Sequence, residues 1–230
     1  EWMYADMGIL SSAGVTVPIY PTLSASQVEY IIRETESRVC FISSSEQLEK
    51  IMQAKHNTSL PKIVIAFDNI PPRNENIINI ETILNQKPSH EMMTAIANRI
   101  ISIKPDDPSS IIYTSGTTGD PKGVLLTHRN FLSNIESAID LLPVNDDDLF
   151  LSFLPLSHVF ERTCTYYGSI YKCATIAFAE DIEHVPRNLI EFKPTVMCAV
   201  PRFFEKFYEK IQSSIKEKGI FLRLIFNASI

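Results

Sequence analysis

Residues 113–123 read Tyr-Thr-Ser-Gly-Thr-Thr-Gly-Asp-Pro-Lys-Gly, and this stretch decides how the rest of the chain is understood. The 230 residues hold only seven glycines, and three of them, Gly116, Gly119 and Gly123, fall here. Glycine costs backbone entropy, so a cluster marks positive φ or close approach of another group to the backbone. Between the glycines stand Ser115, Thr117 and Thr118, whose hydroxyls can donate to phosphate oxygens. Lys122 adds a long-reaching cation beside Pro121, which fixes φ and stiffens its base. Amide N–H groups of a tight glycine turn form an anion-binding concavity, which these hydroxyls complete. The loop is built to hold an anion.

On either side, Ser110–Tyr113 and Val124–Leu126 read as short strands, and Thr127 is a candidate N-cap for a helix starting near His128. The mononucleotide signature G-x-x-x-x-G-K-[ST] fails: Pro121 stands five residues after Gly116, and Gly123 rather than a hydroxyl residue follows Lys122. An ordinary surface turn needs one or two glycines, not three spaced among several hydroxyls and a lysine.

Tyr113–Val124 resembles the phosphate-loop signature of the adenylate-forming superfamily, which includes acyl-CoA synthetases, luciferases and peptide-synthetase adenylation domains. Two further segments, Leu154-Pro155-Leu156-Ser157-His158-Val159-Phe160-Glu161-Arg162 and Val200-Pro201-Arg202-Phe203-Phe204-Glu205-Lys206, are similar to core segments of long-chain fatty acid–CoA ligases. So is the early stretch Gly14–Leu23. With gaps, the resemblance runs from Glu1 to the end.

The resemblance implies an α/β fold, helices packed on largely parallel sheets, belonging to the large N-terminal domain of an adenylate-forming enzyme. It implies that residues 1–230 are an incomplete N-terminal AMP-binding domain with its phosphate loop at 113–124. The implied reaction activates a long-chain fatty acid with ATP to an acyl-adenylate, from which CoA then displaces AMP. The implied nucleotide-binding residues are Thr114, Ser115, Gly116, Thr117, Thr118, Gly119 and Lys122; a hydroxyl among Thr114 to Thr118 is implied to ligand Mg²⁺, the residues themselves do not choose which, and the family resemblance favours Thr114. His158 and Glu161 are assigned to the carboxylate and acyl pocket, and Lys122 and His158 are the catalytic candidates. Glu161, one helical turn on, either orients the imidazole or is a solvated charge. Arg202 is a candidate for the nucleotide cleft. Two other readings stay open: a ligase that loads a carrier protein instead of CoA, and a non-catalytic nucleotide-binding remnant.

At 45% hydrophobic and 21% charged, the composition is that of an ordinary soluble globular sequence, long enough for a substantial core. A formal charge of −6 with interspersed signs argues against a nucleic-acid partner. No apolar run reaches the roughly 18 residues of a membrane span. Cys40, Cys164, Cys173 and Cys198 show neither C-x-x-C nor metal-ligand spacing and read as buried, reduced thiols of a cytoplasmic protein, peripheral membrane contact being left open. The chain opens on Glu1 rather than Met and closes in an apolar stretch, so it reads as an internal piece of a longer protein. The family's Tyr-Gly-x-Thr-Glu segment, ribose-binding Thr-Gly-Asp and terminal lysine are not in this sequence. The expectation is that the isolated piece is inactive.

Alternating patterns extend along the chain. Ser24-x-x-Gln27 has the form of a capping box ahead of Val28, Ile31 and Ile32. Val39–Ile42, Ile63–Phe67, Phe150–Leu154, Thr175–Phe178 and Thr195–Ala199 read as strands; 46–54, 158–171 and 185–192 read as helices. That alternation argues for parallel sheets. Residues 70–90 read as loop with one short helical turn, and Pro18 weakens a strand over Val15–Tyr20. Pro201 opens a helix whose stripe Phe203, Phe204, Phe207, Tyr208, Ile211 and Ile215 packs a core, borders an acyl tunnel or meets a membrane surface.

Overall fold

The computed structural model describes residues 1–54, 61–71, 76–114 and 121–217. The chain divides into two compact units, Glu1–Ser137 and Ala138–Ile230, with the division falling inside helix α6 (His128–Leu141).

The first unit begins with α1 (Trp2–Ser11), whose Asp6 is buried and accepts from the Thr16 hydroxyl at 2.9 Å. Helix α2 (Ala25–Glu34) starts where its sequence says: Ser24 Oγ accepts from Gln27 N, and Gln27 Oε1 accepts from Ser24 N at 3.0 Å. That reciprocal cap satisfies two otherwise unpaired donors. Strand β1 (Val39–Ile42), helix α3 (Ser45–Ala54), β2 (Ile63–Ala66), β3 (Ile77–Asn79) and the short α4 (Ile80–Leu84) follow. The strands are parallel in the order β1-β2-β3, in the register Val39↔Ile63 and Val64↔Ile77. Val28 and Ile32 of α2 join Leu48 and Ile51 of α3 and Val64, Ala66 and Ile77 of the sheet in one core. Strand β3 corrects the expectation of loop over 70–90. Its three residues are too few for a period to show, and Asn79 both ends the strand and caps α4 by accepting from Glu81 N at 3.0 Å.

Helix α5 (His90–Ser102) precedes an antiparallel pair, β4 (Pro108–Thr114) and β5 (Lys122–Thr127). The weakened strand near Pro18 reduces to a single bridge, Thr16 beside Ser110. Three hydrogen bonds hold it: Thr16 N to Ser109 O, Ile111 N to Thr16 O and Ser110 Oγ to Thr16 O.

The second unit holds a parallel sheet in the order β7-β6-β8, with β6 at Leu149–Ser152, β7 at Thr175–Phe178 and β8 at Val196–Met197. Strand β6 stops at Ser152 rather than Leu154, and β8 is shorter than the five residues expected. The helix expected over 158–171 is three pieces: α7 (Val159–Glu161), a π-helical segment (Arg162–Tyr167) and α8 (Gly168–Tyr171). A π segment inserts into a helix without erasing its apolar pattern, which hides it from periodicity. Helix α9 (Val185–Phe192) ends on Lys193 in the left-handed conformation, φ 50°. Helix α10 (Pro201–Glu217) buries Phe203 and packs Phe207 beside it against Leu151, Phe153, Val185 and Leu189. Phe204 and Tyr208 of the expected stripe are instead exposed, at 56% and 49%. The stripe is therefore core on one flank and open on the other.

All four cysteines are free thiols. Against the expectation of four buried thiols, Cys40, Cys164 and Cys198 are only partly buried and Cys173 is exposed, at the positive-φ turn that follows α8. Among the described residues no helix is long and apolar enough to cross a membrane, and no group of three metal-binding side chains comes together.

Candidate functional site

Strands β4 and β5 form a hairpin in which Thr114 pairs with Lys122 and Tyr113 with Gly123. Thr114 and Lys122 therefore stand opposite each other at the strand ends that flank residues 115–120, and both are exposed. Ser115, Gly116, Thr117, Thr118 and Gly119 lie outside the described residues. The strand ends that hold them are firmly tied. The Tyr113 hydroxyl donates to Glu34 Oε2 at 2.6 Å, and the Tyr30 ring meets Tyr113 edge-on with centroids 6.3 Å apart. Loss of water around Tyr113, then the Glu34 bond, push the phenol's pKa above the ordinary tyrosine range.

Gly123 has a different purpose from the one its place in the motif suggests. A Cβ there would lie 2.8 Å from Ile111 Cγ2 and 3.2 Å from Tyr113 Cζ. The glycine makes room for the Tyr113 ring across the hairpin. Beyond β5, Thr127 Oγ1 accepts from Asn130 N, and Asn130 Oδ1 accepts from Thr127 N at 2.9 Å, so the expected N-cap of α6 is present with a reciprocal partner.

In the second unit, β6 runs into the turn Pro155-Leu156-Ser157, closed by His158 N donating to Pro155 O at 2.8 Å. His158 is the N-cap of α7: its Nδ1 accepts from Phe160 N at 3.1 Å. An imidazole nitrogen that accepts is unprotonated, so this cap selects the tautomer carrying its proton on Nε2. The ring is exposed and presents that N–H outward from the helix start.

Glu161 does neither thing expected of it. Its carboxylate is buried, accepting from Ser152 Oγ at 2.6 Å, from Thr165 Oγ1 at 3.0 Å and from the backbone N–H groups of Phe153 and Leu154. Those bonds aim it at the end of β6, away from the role of imidazole partner or solvated charge. Burial raises its pKa, and the four donors oppose that rise. Glu161 is the clamp that seats α7, and with it His158, on the sheet. Sequence reasoning missed this because all but one of the donors come from the β6 end. It missed Arg162 as well, whose fully buried guanidinium donates from Nε to the Tyr167 hydroxyl at 2.9 Å and lies over the Tyr167 ring. Arg202 is exposed at the start of α10.

The family model for AMP-binding enzymes matches residues 1–228. The chain belongs to the AMP-binding enzyme family. Among curated relatives, it is 32% identical over 221 residues to the long-chain-fatty-acid–CoA ligase FadD15 of Mycobacterium bovis, covering 95% of this chain and 36% of that protein. It is 31% identical over 237 residues to long chain acyl-CoA synthetase 3 of Arabidopsis thaliana, covering 99% and 35%. The chain thus spans about a third of the length of these relatives. Among solved structures, the anthranilate CoA ligase AuaEII in complex with anthranoyl-AMP superimposes with a TM-score of 0.71 at 21% identity, covering 88% of this chain and 38% of that one. The fold is accordingly that of adenylate-forming enzymes, as the phosphate-loop resemblance implied.

Proposed function

We propose that this chain is the phosphate-loop portion of an ATP-dependent long-chain fatty acid–CoA ligase. The single observation that carries the reading is the hairpin pairing of exposed Thr114 with exposed Lys122 on either side of the loop, braced through Tyr113 and Glu34. The long-chain acyl-CoA synthetase names of the relatives near 30% identity support the substrate class and CoA as acceptor.

In this reading the fatty carboxylate attacks the α-phosphorus of ATP, and pyrophosphate departs. The departing charge needs preorganised donors. Lys122 supplies a cation, and Ser115, Gly116, Thr117, Thr118 and Gly119 supply hydroxyls and amides to the β- and γ-phosphates. An exposed threonine hydroxyl at the loop mouth suits an oxygen-preferring ion, so Thr114 is assigned to Mg²⁺, which would neutralise phosphate charge. The Nε2–H of His158 donates to the acyl carboxylate, and Glu161 holds the helix that presents it. CoA then takes the acyl group and AMP leaves. The protein acts in the cytoplasm, and the exposed Phe204 and Tyr208 suit peripheral contact with a membrane.

The test is Lys122→Ala in the full-length protein, assayed for fatty-acid-dependent pyrophosphate release. A loss of at least about 100-fold is expected, the scale of removing one preorganised donor to a developing charge. Unchanged release would remove the phosphate role. Free CoA against acyl carrier protein, in the same assay, decides the acceptor.

A further inference from the structure

Cys164 lies in the π segment and Cys198 one residue beyond β8, yet their thiols hydrogen-bond to each other. The fold builds that meeting. Strand β6 pairs with β8 through Phe150↔Val196 and Leu151↔Met197. The Glu161 carboxylate ties the residue before the π segment to Ser152 at the end of β6. Thr165, which donates to Glu161, also hydrogen-bonds with Cys198. Both cysteines are partly buried.

Their electrostatics are unequal. Cys164 donates its S–H to Cys198, and this is the largest influence bringing the Cys198 thiol down to about 7, with burial opposing it. Cys164 is correspondingly pushed up as the partner that keeps the proton. Of the two, Cys198 is the thiol that gives up its proton more readily, and the thiolate is the form that reacts. Cys40, in the other unit, is pushed up by burial alone.

We propose that Cys164 and Cys198 are a peroxide-sensitive dithiol that closes to a reversible disulfide, tethering the π segment to the strand end ahead of α10. The Cys198 thiolate attacks one oxygen of hydrogen peroxide; the O–O bond breaks, and the hydroxide released is protonated to water. Cys198 is then a sulfenic acid. The Cys164 sulfur attacks the sulfenyl sulfur as its own proton leaves with the expelled hydroxide, again as water. Two thiols and one peroxide become one disulfide and two waters, and an external thiol reverses the reaction. The bond draws two sulfurs already in contact to a separation of about 2.05 Å.

The experiment treats the full-length protein with low-millimolar hydrogen peroxide at neutral pH, alkylates remaining thiols in denaturant, and maps the peptides by mass spectrometry. The expected result is a linked Cys164–Cys198 peptide that dithiothreitol abolishes. Cys164→Ser is expected to leave a dimedone-reactive sulfenic acid on Cys198 and no linkage. Cys198 passing to sulfinic acid while Cys164 stays alkylatable overturns the proposal, as does oxidation of Cys173 with the pair left reduced. If the serine variant does not fold, phenylarsine oxide on the native protein decides instead: one arsenic bridging both thiols is expected, and independent labelling of either overturns it. Neither readout involves ligase turnover, so failure here and failure of the proposed function are separately visible.

Discussion

The Tyr113 hydroxyl donates to Glu34 Oε2 at 2.6 Å, joining the last-but-one residue of β4 to the final residue of α2. The bond anchors the strand that leads into the phosphate loop to a helix whose other face is locked in the core. Its partners are 79 residues apart, so nothing local hints at it.

Tyr113→Phe is expected to cost about 1.5 kcal/mol, the low end for a bond to a charged group, because the freed carboxylate is exposed enough to regain water. Urea unfolding measures the loss. The phenol also sets a pH dependence. Its folded pKa is raised, so its stabilising contribution is complete below the unfolded tyrosine value near about 10 and is lost as pH rises through the folded value. Two phenols, Tyr20 and Tyr113, are raised, so native wild-type protein should show a larger late-titrating phenolate absorbance than Tyr113→Phe, which keeps only that of Tyr20. A titration with no late tyrosine in the wild type contradicts this assignment.

Gly123→Ala places a methyl 2.8 Å from Ile111 Cγ2 and 3.2 Å from the Tyr113 ring. The Ile111 methyl is fixed at a branched Cβ, so the ring has to give way. A loss of about 1–3 kcal/mol is expected, the range for overpacking. The Glu34 bond should weaken with it, so Gly123→Ala in a Tyr113→Phe background should cost less than in the wild type. Strict additivity in that double-mutant cycle would separate the two residues.

Much of this architecture is legible locally. Ser24 and Gln27 announce α2, α9 occupies the residues expected of it, and β1 and β7 do the same because short apolar runs between turn signals suit buried parallel strands. What escaped has physical reasons. Trp2, Met3, Tyr4, Met7, Ile9 and Leu10 surround α1 instead of forming a stripe. Strand β3 is three residues long. Among the described residues α5 buries none of its side chains, so its pattern lacks a packed face to report. At the candidate site, the motif resemblance singled out Thr114, Lys122 and His158, and the hairpin sets the first two opposite each other. The partners that hold them, Glu34 behind the loop and Ser152 beneath Glu161, come from distant elements and are products of the fold.

Glu161→Ala is expected to destabilise the protein by about 2–4 kcal/mol, because the N–H groups of Phe153 and Leu154 lose their acceptor while remaining fixed in the backbone. The carboxyl's pKa is raised in the folded state. Its contribution is therefore full below the unfolded glutamate range near about 4.3 and declines as pH climbs through the folded value. Glu161→Gln removes that ionisation, so its stability relative to wild type should improve as pH climbs through the interval between the unfolded glutamate value and the raised folded one. Parallel stability curves for the two proteins across that interval would rule out the buried titration.

His158 combines two duties, and two substitutions pull them apart. Its Nδ1 caps α7 by accepting from Phe160 N, while Nε2 keeps the proton assigned to the acyl carboxylate. Asparagine is among the best N-caps, so His158→Asn retains an acceptor for that backbone N–H yet has no donor at the Nε2 position. His158→Ala loses both, and the missing cap costs about 1 kcal/mol. If the imidazole serves only to start the helix, Asn should behave as wild type in both unfolding and adenylation, and Ala alone should suffer. If Nε2 meets the carboxylate, Asn should unfold like the wild type while its adenylation rate falls about as far as that of Ala, roughly 10²-fold or more for loss of a positioned donor. Fatty-acid-dependent pyrophosphate release by the full-length variants, read beside their unfolding midpoints, distinguishes the cases. A fully active, fully stable His158→Asn enzyme would return this histidine to a purely structural role.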